Sequence, residues 1–339
     1  MKIKKAFQRL THRSEFYLFI VFVVLAFVIN VISGGLLFSP ITMITIVRSM
    51  IILGMFALLN MMVVVSGGFD LSFAALAGFA HSAAVTILLA FGWGADSVWS
   101  AFLVAGAIGL VLGMVNGFII SKFKLNTMIV TLGTQTLFFG LSLGVFMFVE
   151  IPPRDLPLPL REFGVRYIFE FFNADGLRAI MPIAVVPFII LAVLVWFIMN
   201  KTMFGRSLYA IGGNEISAER AGINVARTKF MLYSFVGLVA GMIGMLRVTL
   251  AGQSIPMGFI GWDLMVIPAV ILGGASIYGG AGSVFGTVTA VALVSMVTNS
   301  LLLMRISTSW QDFVYGLVIL AGVTVSAVQV RRRQKGRLQ

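Results

Sequence analysis

Few side chains able to do chemistry interrupt the apolar runs of this chain. Asp70 stands within Ser66-Gly67-Gly68-Phe69-Asp70-Leu71-Ser72, and Asn60, Asn116, Thr131, Thr134, Gln135 and Asn299 lie singly in hydrophobic stretches. Polar groups in such surroundings turn inward, toward neighbouring helices or a watery conduit. Hydroxyls and amides with few buried charges suit the hydrogen bonding of an uncharged polyol in transit, not of a strongly ionic cargo. Asp70 and Ser72 have a second reading: both are good N-cap residues, and the carboxylate suits the positive end of the helix that follows.

Bond-breaking chemistry finds no support. The chain has no cysteine, so thiolate nucleophiles and thiolate metal sites are excluded, and its two histidines, His12 and His81, are too far apart in sequence to suggest a metal site. The glycine-rich stretch Gly273-Gly274-Ala275-Ser276-Ile277-Tyr278-Gly279-Gly280 lacks the lysine of a phosphate-binding loop, so no nucleotide is expected on this chain. It reads as a transport component, not an enzyme, with no cofactor of its own.

These residues must be positioned by membrane helices. Of 339 residues 60% are hydrophobic and 11% charged, more apolar surface than a soluble core could hide. Stretches long enough to cross about 30 Å of hydrocarbon recur at 16–39, 43–66, 70–91, 98–121, 127–149, 180–200, 229–251, 262–275, 282–304 and 309–329. The expectation is an all-α membrane protein of about ten transmembrane helices in the lipid bilayer. Residues 16–329 form one membrane domain between a basic N-terminal tail, 1–15, and a basic C-terminal tail, 330–339. The first run is too long for a signal-peptide core and is read as a retained helix.

The net charge of +12 is informative through its distribution. Seventeen of the 24 basic residues fall in the two tails and in the segments around Lys122, Lys124 and 201–229, which the positive-inside tendency places in the cytoplasm with both termini; Arg48, Arg154, Arg161, Arg166, Arg178, Arg247 and Arg305 are left to the outer side and helix ends. No polar module could build a nucleic-acid face. The outer loop at about 150–178 balances its arginines with acids, and Pro152, Pro153, Pro157 and Pro159 are read as forbidding a helical start there. Gly68-Phe69-Asp70-Leu71 is echoed by Gly261-Trp262-Asp263-Leu264 on the opposite side, as an inverted-topology repeat requires.

In the cytoplasmic loop at about 201–228, Asn214 can cap a short helix, Glu215 suits its first turn, and Gly222 is placed for the left-handed residue that ends it. That makes a stiff knob. A plain connector is the alternative reading.

This loop, 205–223, together with Ser66–Ser72, Asn116-Gly117, Thr131-Leu132-Gly133-Thr134 and Val270-Ile271-Leu272-Gly273-Gly274, resembles the permeases of carbohydrate ATP-binding-cassette importers of the ribose and autoinducer-2 type, over about residues 45–325. Branched-chain amino acid permeases are more distantly similar. The resemblance implies a bacterial inner-membrane protein, a second permease chain (an identical copy or a sister), ATPase subunits that hold ATP and magnesium, and a periplasmic solute-binding protein. It also implies that the coupling helix comprises Asn214, Glu215, Ser217, Ala218, Ala221, Gly222 and Ile223. The path residues would then come from Asn60, Asp70, Ser72, Asn116, Thr131, Gln135 and Asn299. Gly261-Trp262-Asp263-Leu264 departs from the Gly-aromatic-Glu-Leu expected of sugar permeases, which leaves branched-chain amino acids or nucleosides as alternative cargo. An ion-coupled secondary transporter would have only Asp70 and Asp263 to work with.

Overall fold

The computed structural model describes residues 14–92, 97–147, 149–172 and 176–304, with 310, 313, 316, 317 and 320 beyond them. The expected tenth helix at 309–329, both basic tails except Ser14 and Glu15, and His12 and Asp175 fall outside the described residues or nearly so.

The order is α1 (Ser14–Ile32), α2 (Pro40–Val65), α3 (Phe73–Phe91), α4 (Val98–Phe123), α5 (Thr127–Phe146), α6 (Leu158–Val165), β1 (Tyr167–Phe172), β2 (Arg178–Pro182), α7 (Val185–Lys201), α8 (Met203–Gly213), α9 (Glu215–Arg220), α10 (Val225–Ala251), α11 (Trp262–Leu272) and α12 (Val284–Leu303). Six helices among the described residues are long and apolar enough to cross a membrane. α7 and α8, bent by 71° at Thr202, count together as a seventh, and α1 and α11 offer shorter apolar stretches.

Helix ends follow local chemistry. Ser39 Oγ accepts from the Thr42 amide ahead of α2, with Pro40 in the first turn, where its missing N–H costs nothing. Gly92 and Gly252, at φ 67° and 70°, end α3 and α10 in the left-handed conformation. Thr202 Oγ1 accepts from the Gly205 amide and so starts α8 immediately after the bend.

α2 is the centre of the bundle: from Met50 to Val65 every residue is buried. The closest crossing is between α4 and α10, where Gly109 and Gly113 meet Gly237 and Gly241. A Cβ on Gly113 would lie 2.8 Å from the Gly237 Cα, so small residues alone allow the two backbones this approach. Apolar side chains gain little from leaving lipid, which makes such packing the main source of helix association in a bilayer.

The loop at 150–178 corrects one sequence expectation. Its prolines start helical turns instead of forbidding them: Pro153 opens a 3-10 turn, and Pro159 sits in the first turn of α6, where a fixed φ is an advantage. The same region holds an antiparallel ribbon, β1 with β2, which the sequence reading missed because its exposed run Tyr-Ile-Phe-Glu-Phe-Phe lacks clean alternation.

Candidate functional site

The break between α2 and α3 lies at the end of the bundle that carries Lys122, Lys124 and Lys201. Gly67 takes φ +81°, which turns the chain out of α2. The extended residues after it are held by α5: Thr127 Oγ1 accepts from the Phe69 amide at 3.0 Å, and Thr131 Oγ1 accepts from the Leu71 amide at 3.2 Å and donates to the Phe69 carbonyl at 3.2 Å. Backbone groups freed by the break are thus satisfied by threonines, the condition for irregular chain inside a membrane protein.

Asp70 is buried, and its Oδ1 accepts from the Ser72 amide at 2.8 Å and from Ser72 Oγ at 2.6 Å. Ser72 Oγ in turn accepts from Asn116 Nδ2 on α4 at 2.8 Å. The carboxylate therefore closes a turn one step ahead of the helix, while Ser72 occupies the N-cap position without a capping bond of its own. Asp70, Ser72 and Asn116 form one chain of hydrogen bonds joining the start of α3 to α4, while Thr131 on α5 holds the backbone on either side of Asp70.

Three expected companions stay apart. Asn60 donates to the Phe56 carbonyl within α2. Asn299 donates to Ser49 Oγ at 3.1 Å and to the Ser295 carbonyl, clamping α12 to α2. Gln135 is half-buried on α5, and nearby Thr134 bonds back to the Thr131 carbonyl.

α9 stands out from the same end. Asn214 Oδ1 accepts from the Ser217 amide at 2.8 Å. At the other end Gly222, at φ +86°, donates to the Glu219 carbonyl and Ile223 donates to the Ala218 carbonyl, the paired bonds of a Schellman stop. Both caps are as the sequence indicates. Ala218 is buried against Ile211 and Val225 and forms the foot of the knob; the rest of α9 is exposed, including Ile216 at 63%. Ile216 was not among the expected contact residues, although an isoleucine in a polar loop is a signal. A cleft of about 230 Å³ beside α9 is bordered by Lys124, Glu215, Glu219 and Lys229.

The knob and the break meet at a glycine junction. Gly212, the penultimate residue of α8, lies against the Val65 carbonyl and the Gly280 amide, and Gly280 N–H donates to that carbonyl at 2.9 Å. Tyr209 on α8 donates to the Gly282 carbonyl at 2.8 Å. The sequence showed these glycines but not that three distant segments converge on them.

Residues 42–323 match the family described as branched-chain amino acid transport system / permease component. The chain is 32% identical over 300 residues to the ribose import permease protein of Bacillus subtilis, covering 88% of each chain. It is 34% identical to the L-arabinose transport system permease protein of Escherichia coli, over 80% of this chain and 77% of that one. With the galactose/methyl galactoside import permease protein of Salmonella typhimurium it shares 31% identity over 85% of both. No solved structure matches the chain.

Proposed function

The chain belongs to the family of branched-chain amino acid transport system / permease components, and from that premise we propose that it forms the membrane path of an ATP-driven importer for a sugar. Relatives named for ribose, L-arabinose and galactose import support the cargo class. Ten crossings with both termini in the cytoplasm and an inverted repeat complete the reading.

The observation that carries it is the construction of α9. Six residues capped at both ends make a stiff projection, exposed on all but one side chain, and its base abuts the chain that leads into the Asp70 break. A separate ATPase that closes on nucleotide needs such an element to push against, and a connector needs none of it. Asn214 to Ile223 is the coupling helix, docked on ATPase subunits that carry ATP and magnesium. Solute arrives from a periplasmic binding protein and crosses between this chain and a second permease chain. Asp70, Ser72, Asn116 and Thr131 set the geometry of the inner gate.

Gentle purification of the tagged chain from native membranes tests the reading. An ATPase subunit that accompanies the chain, and is lost with Glu215→Lys, supports both the importer and the coupling helix. A chain that runs alone and carries solute after ATP depletion defeats them.

A further inference from the structure

α11 has eleven residues, roughly 16 Å of helix, about half the hydrocarbon thickness. It starts inside the bundle. The segment 252–261 folds down to reach that start: Ser254 Oγ lies 3.2 Å from His81 Nδ1, near the middle of α3, and Phe259 is fully buried with its ring 5.3 Å from Phe56. Phe56 stands nine residues before the end of α2, roughly 14 Å along the helix. Trp262, the first residue of α11, has its ring 6.2 Å from Phe56 and is therefore at a comparable depth.

Arg247 on α10 joins this cluster. Its guanidinium lies 5.1 Å from the Phe259 ring and 5.2 Å from the Trp262 ring, and Nη2 donates to the Gly258 carbonyl at 3.1 Å. Among the described residues that is its only hydrogen bond, and no carboxylate pairs with it. The sequence reading grouped Arg247 with charges at helix ends. Its neighbours are instead the buried Phe259 and the half-buried Trp262, inside the bundle.

Both Arg247 and Trp262 are only partly buried within the single chain. A guanidinium at that depth cannot present its open side to lipid without a penalty of several kcal/mol, so that side faces water or protein. Two chemistries then stand side by side: a planar fork of N–H donors, pinned by two rings, and an indole face. Hydroxyls accept from the first, and the C–H face of a sugar ring stacks on the second.

We propose that Arg247 and Trp262 form a solute contact in the translocation path, selective for a neutral, hydroxyl-rich ring. This rests on the importer reading and adds to it the residues that touch the cargo. The cation already faces two aromatic rings, which lessens its pull on anions and leaves directional hydrogen bonding as its main contribution.

The test uses the intact importer and radiolabelled D-ribose, L-arabinose, D-galactose and D-fructose. If the unaltered protein carries none of the four, the sugar-importer reading falls before the contact is tested by uptake, and labelling then decides the contact alone. Where one is carried, Trp262→Leu and Arg247→Gln lower its uptake tenfold or more while ATP hydrolysis stimulated by the binding protein stays within twofold, and Trp262→Tyr keeps most of the uptake. Uptake within twofold of the unaltered protein overturns the proposal, as does a parallel fall of uptake and hydrolysis, which marks a purely structural role. The chain has no cysteine, so Trp262→Cys and Ile260→Cys can be labelled singly. Reaction with a membrane-impermeant maleimide, slowed by the carried sugar or, where none is carried, by any of the four added in turn, supports a solute contact in a watery path. Absence of reaction at both positions, as at a Leu103→Cys control on the exposed face of α4, marks a surface covered by lipid or by the second chain and overturns it, and reaction that the sugar does not slow marks water away from the solute and also overturns it.

Discussion

Lys229 Nζ stands 2.7 Å from Glu215 Oε2. The bond ties the first turn of α9 to the second turn of α10, so the knob is braced by the long helix that also crosses α4 and packs on α3. Lys124 adds a looser contact with Glu219 at 3.8 Å. α9 cannot swing freely on its two glycines, because a displacement of the knob must pull on α10 or press on the Gly212 junction.

Glu215→Lys reverses one partner of that brace. Exposed pairs contribute about 0.2–1 kcal/mol, so thermal unfolding of the purified chain should shift by no more than a few degrees. ATPase association and transport should fall severely. The swapped pair Glu215→Lys with Lys229→Glu restores the brace while leaving the docking surface reversed. Association that stays low in the swapped pair separates docking from bracing, and its full recovery would show that the brace alone matters.

Ile216→Asp places a charge on the exposed crown of α9 without touching either cap. The stability of the chain should be unchanged within about 0.5 kcal/mol, and retention of ATPase subunits on affinity purification should drop by tenfold or more. Undiminished retention would move the docking surface away from the crown.

The caps of α9 were legible because N-cap and Schellman chemistry is local: Asn214 and Gly222 carry it within a few residues. The network of Asp70 was half legible. A carboxylate beside a glycine pair in an apolar run announces a break, yet nothing in the sequence says that Thr127 and Thr131 satisfy it, because those contacts span about 60 positions. Arg247 was misplaced for the opposite reason. Apolar periodicity locates a span but not the folded-in segment 252–261 that meets it. The ribbon was missed because β1, exposed along its whole length, lies against no core that would impose alternation.

Gly212→Ala adds a methyl where the Val65 carbonyl and the Gly280 amide already touch. The junction must open, at a cost of about 1–3 kcal/mol, and transport should fall more than stability accounts for, because the knob and the break are no longer in register. Gly213→Ala, whose added methyl meets nothing within 4 Å, serves as the control and should behave as the unaltered chain. Equal effects at the two positions would refute the junction.

Asp70→Ala removes the acceptor of both the Ser72 amide and the Ser72 hydroxyl in a buried site, with an expected loss of about 1–3 kcal/mol. The hydroxyl is also the acceptor for Asn116 Nδ2, so freeing Ser72 loosens α4 from the start of α3. Ser72→Ala breaks the same link from the middle while leaving the carboxylate its backbone bond. If Asp70 acts through this turn, the two single changes and the double change should lower the unfolding temperature in detergent by similar amounts, because each removes one shared chain of bonds. Strict additivity of the two losses would show that Asp70 and Ser72 act independently, and a transport defect in Asp70→Ala with no loss of stability would make the carboxylate a contact for solute or ion instead of a positioning group.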